Sequence, residues 1–195
     1  LVAYRRPLIS GGLMGFAFDP NYRQNGVFYT IHLEDPALTV DARPKSGVLP
    51  ALDTSRFVPS KPIGMPANGQ PLTREGVVSE WIDRNISNST FEGSVREVMR
   101  VQLLNSIHPM SDLTFNPAAR QGDADWRVLY LSTGDGGTGE QSDVRRLNPQ
   151  RLDHFSGTII RIIPDLREHA SRSQVSENGQ YRIPNDNPFV SVPGA

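Results

Sequence analysis

The chain of 195 residues contains no cysteine, which excludes a disulfide framework and a thiolate metal site and leaves the redox compartment open. It has no excess of either charge, with 20 Lys and Arg against 21 Asp and Glu, and so lacks the electrostatic footprint of a nucleic-acid or anionic-membrane binder. No apolar run approaches the roughly 20 residues that a helical membrane span needs. The first ten residues, LVAYRRPLIS, have neither an initiator Met nor a signal-peptide layout, as expected of a mature or trimmed product. What the chain has in quantity is glycine and proline, 17 and 16 residues. That density of turn formers favours many short strands over long helices.

One glycine cluster needs separate treatment. Residues 132–143, STGDGGTGEQSD, place glycines at 134, 136 and 139 and so spell G-x-G-x-x-G after the strand-like run WRVLYLST. The dinucleotide fingerprint works only where the glycines lead into a helix whose N-terminus meets the pyrophosphate. Here EQSDVRRLNPQ follows, with almost no apolar stripe and a proline at 149. The residues therefore read as a turn whose glycines supply positive φ.

The most informative pattern is an echo. GFAFDPNYRQNGVFYTIHL from Gly15 and DLTFNPAARQGDADWRVLYLST from Asp112 both run strand, Phe, Asp or Asn, Pro, polar turn, aromatic-rich strand. Each reads as an antiparallel hairpin, and the repeat, roughly 100 residues on, points to stacked or radially arranged β-units. Residues 34–74, dense in Pro, Gly, Ser and Thr, read as a long loop insertion. GVVSEWI and GTIIRIIP read as strands, while VREVMRVQLL fits strand or helix, with strand favoured by its length. In that segment Val95, Met99 and Leu103 share a face under either period. DLREHASRSQ suggests a short helix, and YRIPNDNPFV reads as turns. Trp81 and Trp126 read as packing residues, and His32, His154 and His169 as surface or strand residues without ligand spacing.

Five segments, GLMGFAFDPNYRQNGVFYT, HPMSDLTFNP, LYLSTGDGG, LNPQRLDHFSGTIIRI and YRIPNDNPFV, resemble the glucose/sorbosone dehydrogenase-like proteins in order and spacing. The resemblance implies an all-β fold, a six-bladed β-propeller with four-stranded antiparallel blades. Residues 1–195 would form a single incomplete propeller domain, about the first half of the blades. It further implies an exported, periplasmic or secreted enzyme that uses pyrroloquinoline quinone (PQQ) and calcium to oxidise a sugar or polyol and passes electrons to an external acceptor. By motif position His108 is the implied general base and Asp135 its orienting carboxylate, although Asp135 also fits a simple Asx turn. The quinone-clamping residues and calcium ligands of the family are expected beyond Ala195, with no metal site in this chain.

The remaining half of the propeller is thus an expected partner, since open strand edges associate. Some positions depart from the family pattern. Pro109, Met110 and Ser111 follow the histidine, and Ile107 and Ser10 replace polar groups expected to bind sugar. Two other readings share the fold. One is a non-catalytic propeller that binds a protein or glycan, like the Hedgehog-interacting protein. The other is a calcium-dependent propeller hydrolase.

Overall fold

The computed structural model describes residues 12–37, 44, 49, 51–63 and 73–193. Its first hairpin joins β1 (Leu13–Phe18) to β2 (Val27–Glu34), with Phe18 opposite Phe28. The turn between them is fixed by Asp19, whose carboxylate accepts the Asn21 amide and the Asn25 side chain, and by a single helical turn, α1 (Tyr22–Asn25). Gly26 closes that turn at φ 64°, and a Cβ there would overlap the Asp83 carbonyl. The sheet continues antiparallel through β4 (Arg74–Asp83) and β5 (Gly93–Leu103), and a two-residue strand, β3 (Leu52–Asp53), runs parallel along its outer edge.

The second copy of the echo builds the second sheet in the same way. β6 (Met110–Phe115) turns back as β7 (Leu129–Thr133) with Phe115 opposite Leu129, and β8 (Ile159–Ile162) follows antiparallel. A hairpin of β9 (Ser173–Val175) and β10 (Arg182–Pro184) extends it, because Ile163 and Arg182 exchange both backbone hydrogen bonds at 2.8 and 2.9 Å. The two meanders pack face to face. Tyr29, Ile31, Val78, Met99 and Leu103 of the first bury against Met110, Leu113, Phe115, Leu129 and Leu131 of the second.

The first strands of the two units, β1 and β6, lie side by side. They approach so closely that a Cβ on Gly15 would stand 2.8 Å from Leu113 and 3.1 Å from the Ser111 carbonyl. Successive antiparallel meanders that pack face to face with their first strands adjacent are neighbouring blades, so the all-β, partial-propeller expectation holds.

Several expectations change in detail. VREVMRVQLL is strand, but it carries a bulge: Glu97 pairs with Ser79 and Met99 with Val78, leaving Val98 as the extra residue. The bulge reverses the alternation. Val95 therefore joins Leu52, Phe57 and Trp81 on the outer face, while Met99 and Leu103 face the second sheet. Within the 34–74 stretch, Leu52 and Asp53 pair with Gly93 and Ser94, Ile63 bridges Val101, and Phe57 is buried, so this part is docked along β5. Most of its remainder lies outside the described residues.

The run WRVLYLST becomes strand only at Leu129. Arg127 takes φ 55° so that its buried guanidinium can reach Asp19, Asp165 and Glu168, each at 2.9 Å. DLREHASRSQ forms turns and one short 3₁₀ turn (Ala170–Arg172) before entering β9 at Ser173, not an α-helix, because His169 sits at φ 50° with its Nε2 2.6 Å from the Trp126 carbonyl. Trp81 is buried in the outer cluster, donating to Thr30 at 2.9 Å, and Trp126 is half-buried. Ser10 lies outside the described residues.

A buried polar network holds the outer face of the first sheet. Arg100 contacts Glu34, Glu75 and Glu97 at 2.7, 2.6 and 2.8 Å, and His32 meets Glu34 at 3.0 Å. Burial pushes the Glu34 carboxyl up, but His32 and Arg100 outweigh burial and hold it below the ordinary glutamate value. Glu97 also accepts the Ser60 amide at 2.8 Å, which ties the docked segment to the sheet. Removing the cation would leave three carboxylates buried together. Arg100→Leu is therefore expected to lower the unfolding free energy of the full-length protein by about 3–5 kcal/mol in a denaturant titration. A loss below about 1 kcal/mol would show that the network is dispensable.

Candidate functional site

The β6–β7 ladder does not stop where the strands do. Beyond the Met110–Thr133 pair, the Gly134 amide donates to the Pro109 carbonyl at 3.1 Å and the Gly136 amide to the His108 carbonyl at 2.9 Å. Asn105 adds a further link, its amide donating to the Gly136 carbonyl at 3.1 Å while its side chain accepts the Ile107 amide at 2.7 Å. Each glycine of the cluster has a local reason. A Cβ on Gly134 would overlap the His108 carbonyl, whereas Gly136 and Gly137 take φ 63° and 80°. The turn reading of these glycines is correct, and the segment that follows is a 3₁₀ helix (Val144–Gln150), not a dinucleotide-binding helix.

This ladder brings together two side chains 27 residues apart: Nδ1 of His108 lies 3.0 Å from Oδ1 of Asp135. The two readings of Asp135 are both satisfied. Oδ1 also accepts the Gly137 amide at 3.0 Å in an Asx turn, and Oδ2 accepts the Gly139 amide at 2.7 Å. Burial raises the carboxyl, but these two amides and the imidazole outweigh it and hold Asp135 below its ordinary value. An ionised Asp135 can only accept, so the proton of a neutral His108 sits on Nδ1 and a lone pair is left on Nε2. The imidazole is 64% exposed and held at φ 45°, a left-handed conformation that costs a non-glycine residue about 1–3 kcal/mol. The arrangement can take a proton at Nε2 and stabilise the resulting cation at Nδ1.

A third loop, residues 153–158, packs beneath. The Gly157 amide donates to the Gly134 carbonyl at 2.9 Å, the Thr158 amide to Thr133 Oγ1 at 3.1 Å, and Thr133 Oγ1 also bonds the Phe155 carbonyl. His154 is buried in this loop, contrary to its assignment as a surface or strand residue, and its Nδ1 accepts the Ser156 amide at 3.0 Å. Nothing in the string LDHFSG marks such a role, because the burial comes from the loop folding onto β7. His32 is a buried strand residue paired with Glu34, and Ile107 is 39% exposed beside the site.

Among the described residues no group of three His, Asp or Glu side chains could hold a metal ion. A separate apolar pocket of about 250 Å³, walled by Phe16, Phe28, Trp81 and Phe91, lies on the outer face of the first sheet and includes neither His108 nor Asp135. No described helix is long and apolar enough to cross a membrane.

No protein-family model matches the chain. It is similar to the HIPL1 and HIPL2 proteins of Arabidopsis thaliana, with 28% identity over 191 and 187 residues, covering 91% of this chain and 24% of each relative. The chain thus spans about a quarter of the length of these curated relatives. Two solved structures align over 95% of this chain at 15% identity. One is a glucose dehydrogenase, 36% covered at TM-score 0.47; the other is the apo form of the soluble aldose sugar dehydrogenase of Escherichia coli, 35% covered at TM-score 0.43.

The Asp135 bonds define an acid response. A carboxyl whose folded pKa is depressed contributes stability above its ordinary value near 3.8, and that contribution is lost as pH falls through the lower folded pKa. Carbon-13 titration of the Asp135 carboxyl should therefore give a midpoint below the ordinary value. A midpoint at or above it would mean that the two glycine amides and His108 do not hold the charge.

Proposed function

We propose that this chain carries the proton-abstracting part of an exported, periplasmic or secreted propeller dehydrogenase that oxidises a hydroxyl of a sugar or polyol. The observation that supports this most strongly is the 3.0 Å contact between His108 Nδ1 and Asp135 Oδ1 at the open end of the second sheet. His108 Nε2 takes the hydroxyl proton, and Asp135 holds the ring orientation and stabilises the imidazolium as it forms. The hydride from the same carbon needs an oxidant, which the family resemblance identifies as PQQ with calcium. By the same resemblance, the residues that would hold quinone and calcium belong to the part of the protein beyond Ala195. When bound, the quinone would supply the two-electron oxidation, with an external acceptor taking up the electrons. The rest of the propeller would cover the open side of the site and complete the substrate pocket. Ile107, which precedes the histidine, offers no side-chain hydrogen bond to a substrate hydroxyl, so sugar-binding groups are proposed to come mainly from elsewhere in the full-length protein.

The test supplies the full-length protein with PQQ, calcium and a panel of aldoses and polyols, and follows reduction of an acceptor dye. His108→Ala should lower kcat by about 10²–10⁴, and Asp135→Asn by about tenfold or more through loss of the Nδ1 tautomer. Full activity of His108→Ala would rule out the base assignment. A full-length protein that binds no quinone and turns over no substrate would favour the non-catalytic propeller, for which the same open loops are a binding face.

A further inference from the structure

We propose that His154 is a positioning residue for the His108–Asp135 pair, its Nδ1 shaping the loop that fixes the two peptide groups immediately before Asp135. The inference rests on the reading of His108 as a base.

His154 lies between the 3₁₀ helix (Val144–Gln150) and β8, and only 6% of its surface is exposed. The Ser156 amide donates to Nδ1 at 3.0 Å, so Nδ1 must carry a lone pair and the ring proton must sit on Nε2. Burial pushes the imidazole pKa down, with nearby Arg151 adding to the effect against Asp153, and the acceptor form is thereby kept at neutral pH. The i to i+2 spacing is that of an Asx turn, with imidazole Nδ1 in the place of a carboxamide oxygen.

The shaped turn is stitched to the site by several bonds. Phe155 O accepts from Thr133 Oγ1 and from Thr158 Oγ1, the latter at 2.8 Å; the Thr133 amide donates to the Thr158 carbonyl at 2.9 Å and the Thr158 amide to Thr133 Oγ1 at 3.1 Å. The Gly157 amide then meets the Gly134 carbonyl at 2.9 Å, and Gly157, at φ 69°, packs on Pro149 so tightly that a Cβ would stand 2.8 Å from the proline ring. Thr133 and Gly134 are the two residues before Asp135. Moving either would swing the carboxylate away from His108, and a displacement near 1 Å is enough to cost a large factor in rate. The ring also carries a burden that stability alone does not favour, since Nε2 is buried without a hydrogen-bond partner among the described residues.

The experiment compares His154→Asn, His154→Gln and His154→Leu in the full-length protein. Asparagine places its oxygen where Nδ1 was and can remake the Ser156 bond, whereas glutamine reaches the Nε2 position and leucine offers no acceptor. One readout is the downfield proton resonance of His108 Nδ1–H bonded to Asp135, assigned by its disappearance in His108→Gln. The other is dye-coupled turnover. Asparagine should retain the resonance and keep kcat within about twofold, while glutamine and leucine should lose the resonance and lower kcat by about tenfold or more with KM little changed. Wild-type behaviour of glutamine or leucine, or an asparagine variant as impaired as leucine, would overturn the assignment. Should leucine fail to fold, the contrast of asparagine with glutamine decides. A wild-type protein that shows the resonance but no turnover would remove the dehydrogenase reading, and the resonance arm would still decide the role of His154.

Discussion

The constraint on which the site depends is the continuation of main-chain pairing past the ends of β6 and β7. Gly134 and Gly136 bond to Pro109 and His108; a Cβ on Gly134 would overlap the His108 carbonyl, and Gly136 takes the positive φ of 63° that favours glycine. Once that pairing is set, an imidazole on one loop and a carboxylate on the other have little choice but to meet. The carboxylate is then anchored from its other side by the amides of Gly137 and Gly139. The geometry is preorganised by backbone, and the His108 ring stands exposed above it.

The rest of the fold serves to hold that edge still. The apolar contact between the two meanders supplies the driving force, and three arginines supply specificity at places where charge would otherwise be stranded. Arg127 bridges the first hairpin turn, at Asp19, to Asp165 and Glu168 beyond β8. Arg96 joins Glu80 in β4 to the carbonyls of Pro164 and Gln180 in the second unit, at 2.9 and 2.7 Å. Arg100 gathers three glutamates on the opposite face. Two of these hubs cross between the sheets, so a shift of one unit against the other would leave charges buried without partners.

Much of this was legible in the sequence where the signal is local. The Phe-Asp-Pro and Phe-Asn-Pro turns announced both hairpins, and the aromatic-rich runs VFYTIHL and LYLST announced their returning strands. What escaped was decided at long range. The bulge at Val98 has no marker of its own, since an extra valine in a β-branched strand looks like any other. Arg127 interrupts WRVLYLST because Asp19, 108 residues away, accepts its guanidinium. The docking of Leu52 and Phe57 follows from an outer sheet face that needed cover, while Ile63 bridges Val101 at the edge of β5 and packs against the core between the sheets. For the site, the glycine turn followed from residue chemistry, whereas pairing residues 108 and 135 drew on the family resemblance. The burial of His154 had no sequence signal.

Amide hydrogen exchange in the full-length protein tests the central constraint most directly, read at Gly134, Gly136 and Gly157. Locked loops predict that these three amides exchange far more slowly than those of exposed turn residues such as Gly122. Exchange at the rate of an unprotected loop would contradict the account, because the backbone frame that brings His108 to Asp135 would then not persist in solution.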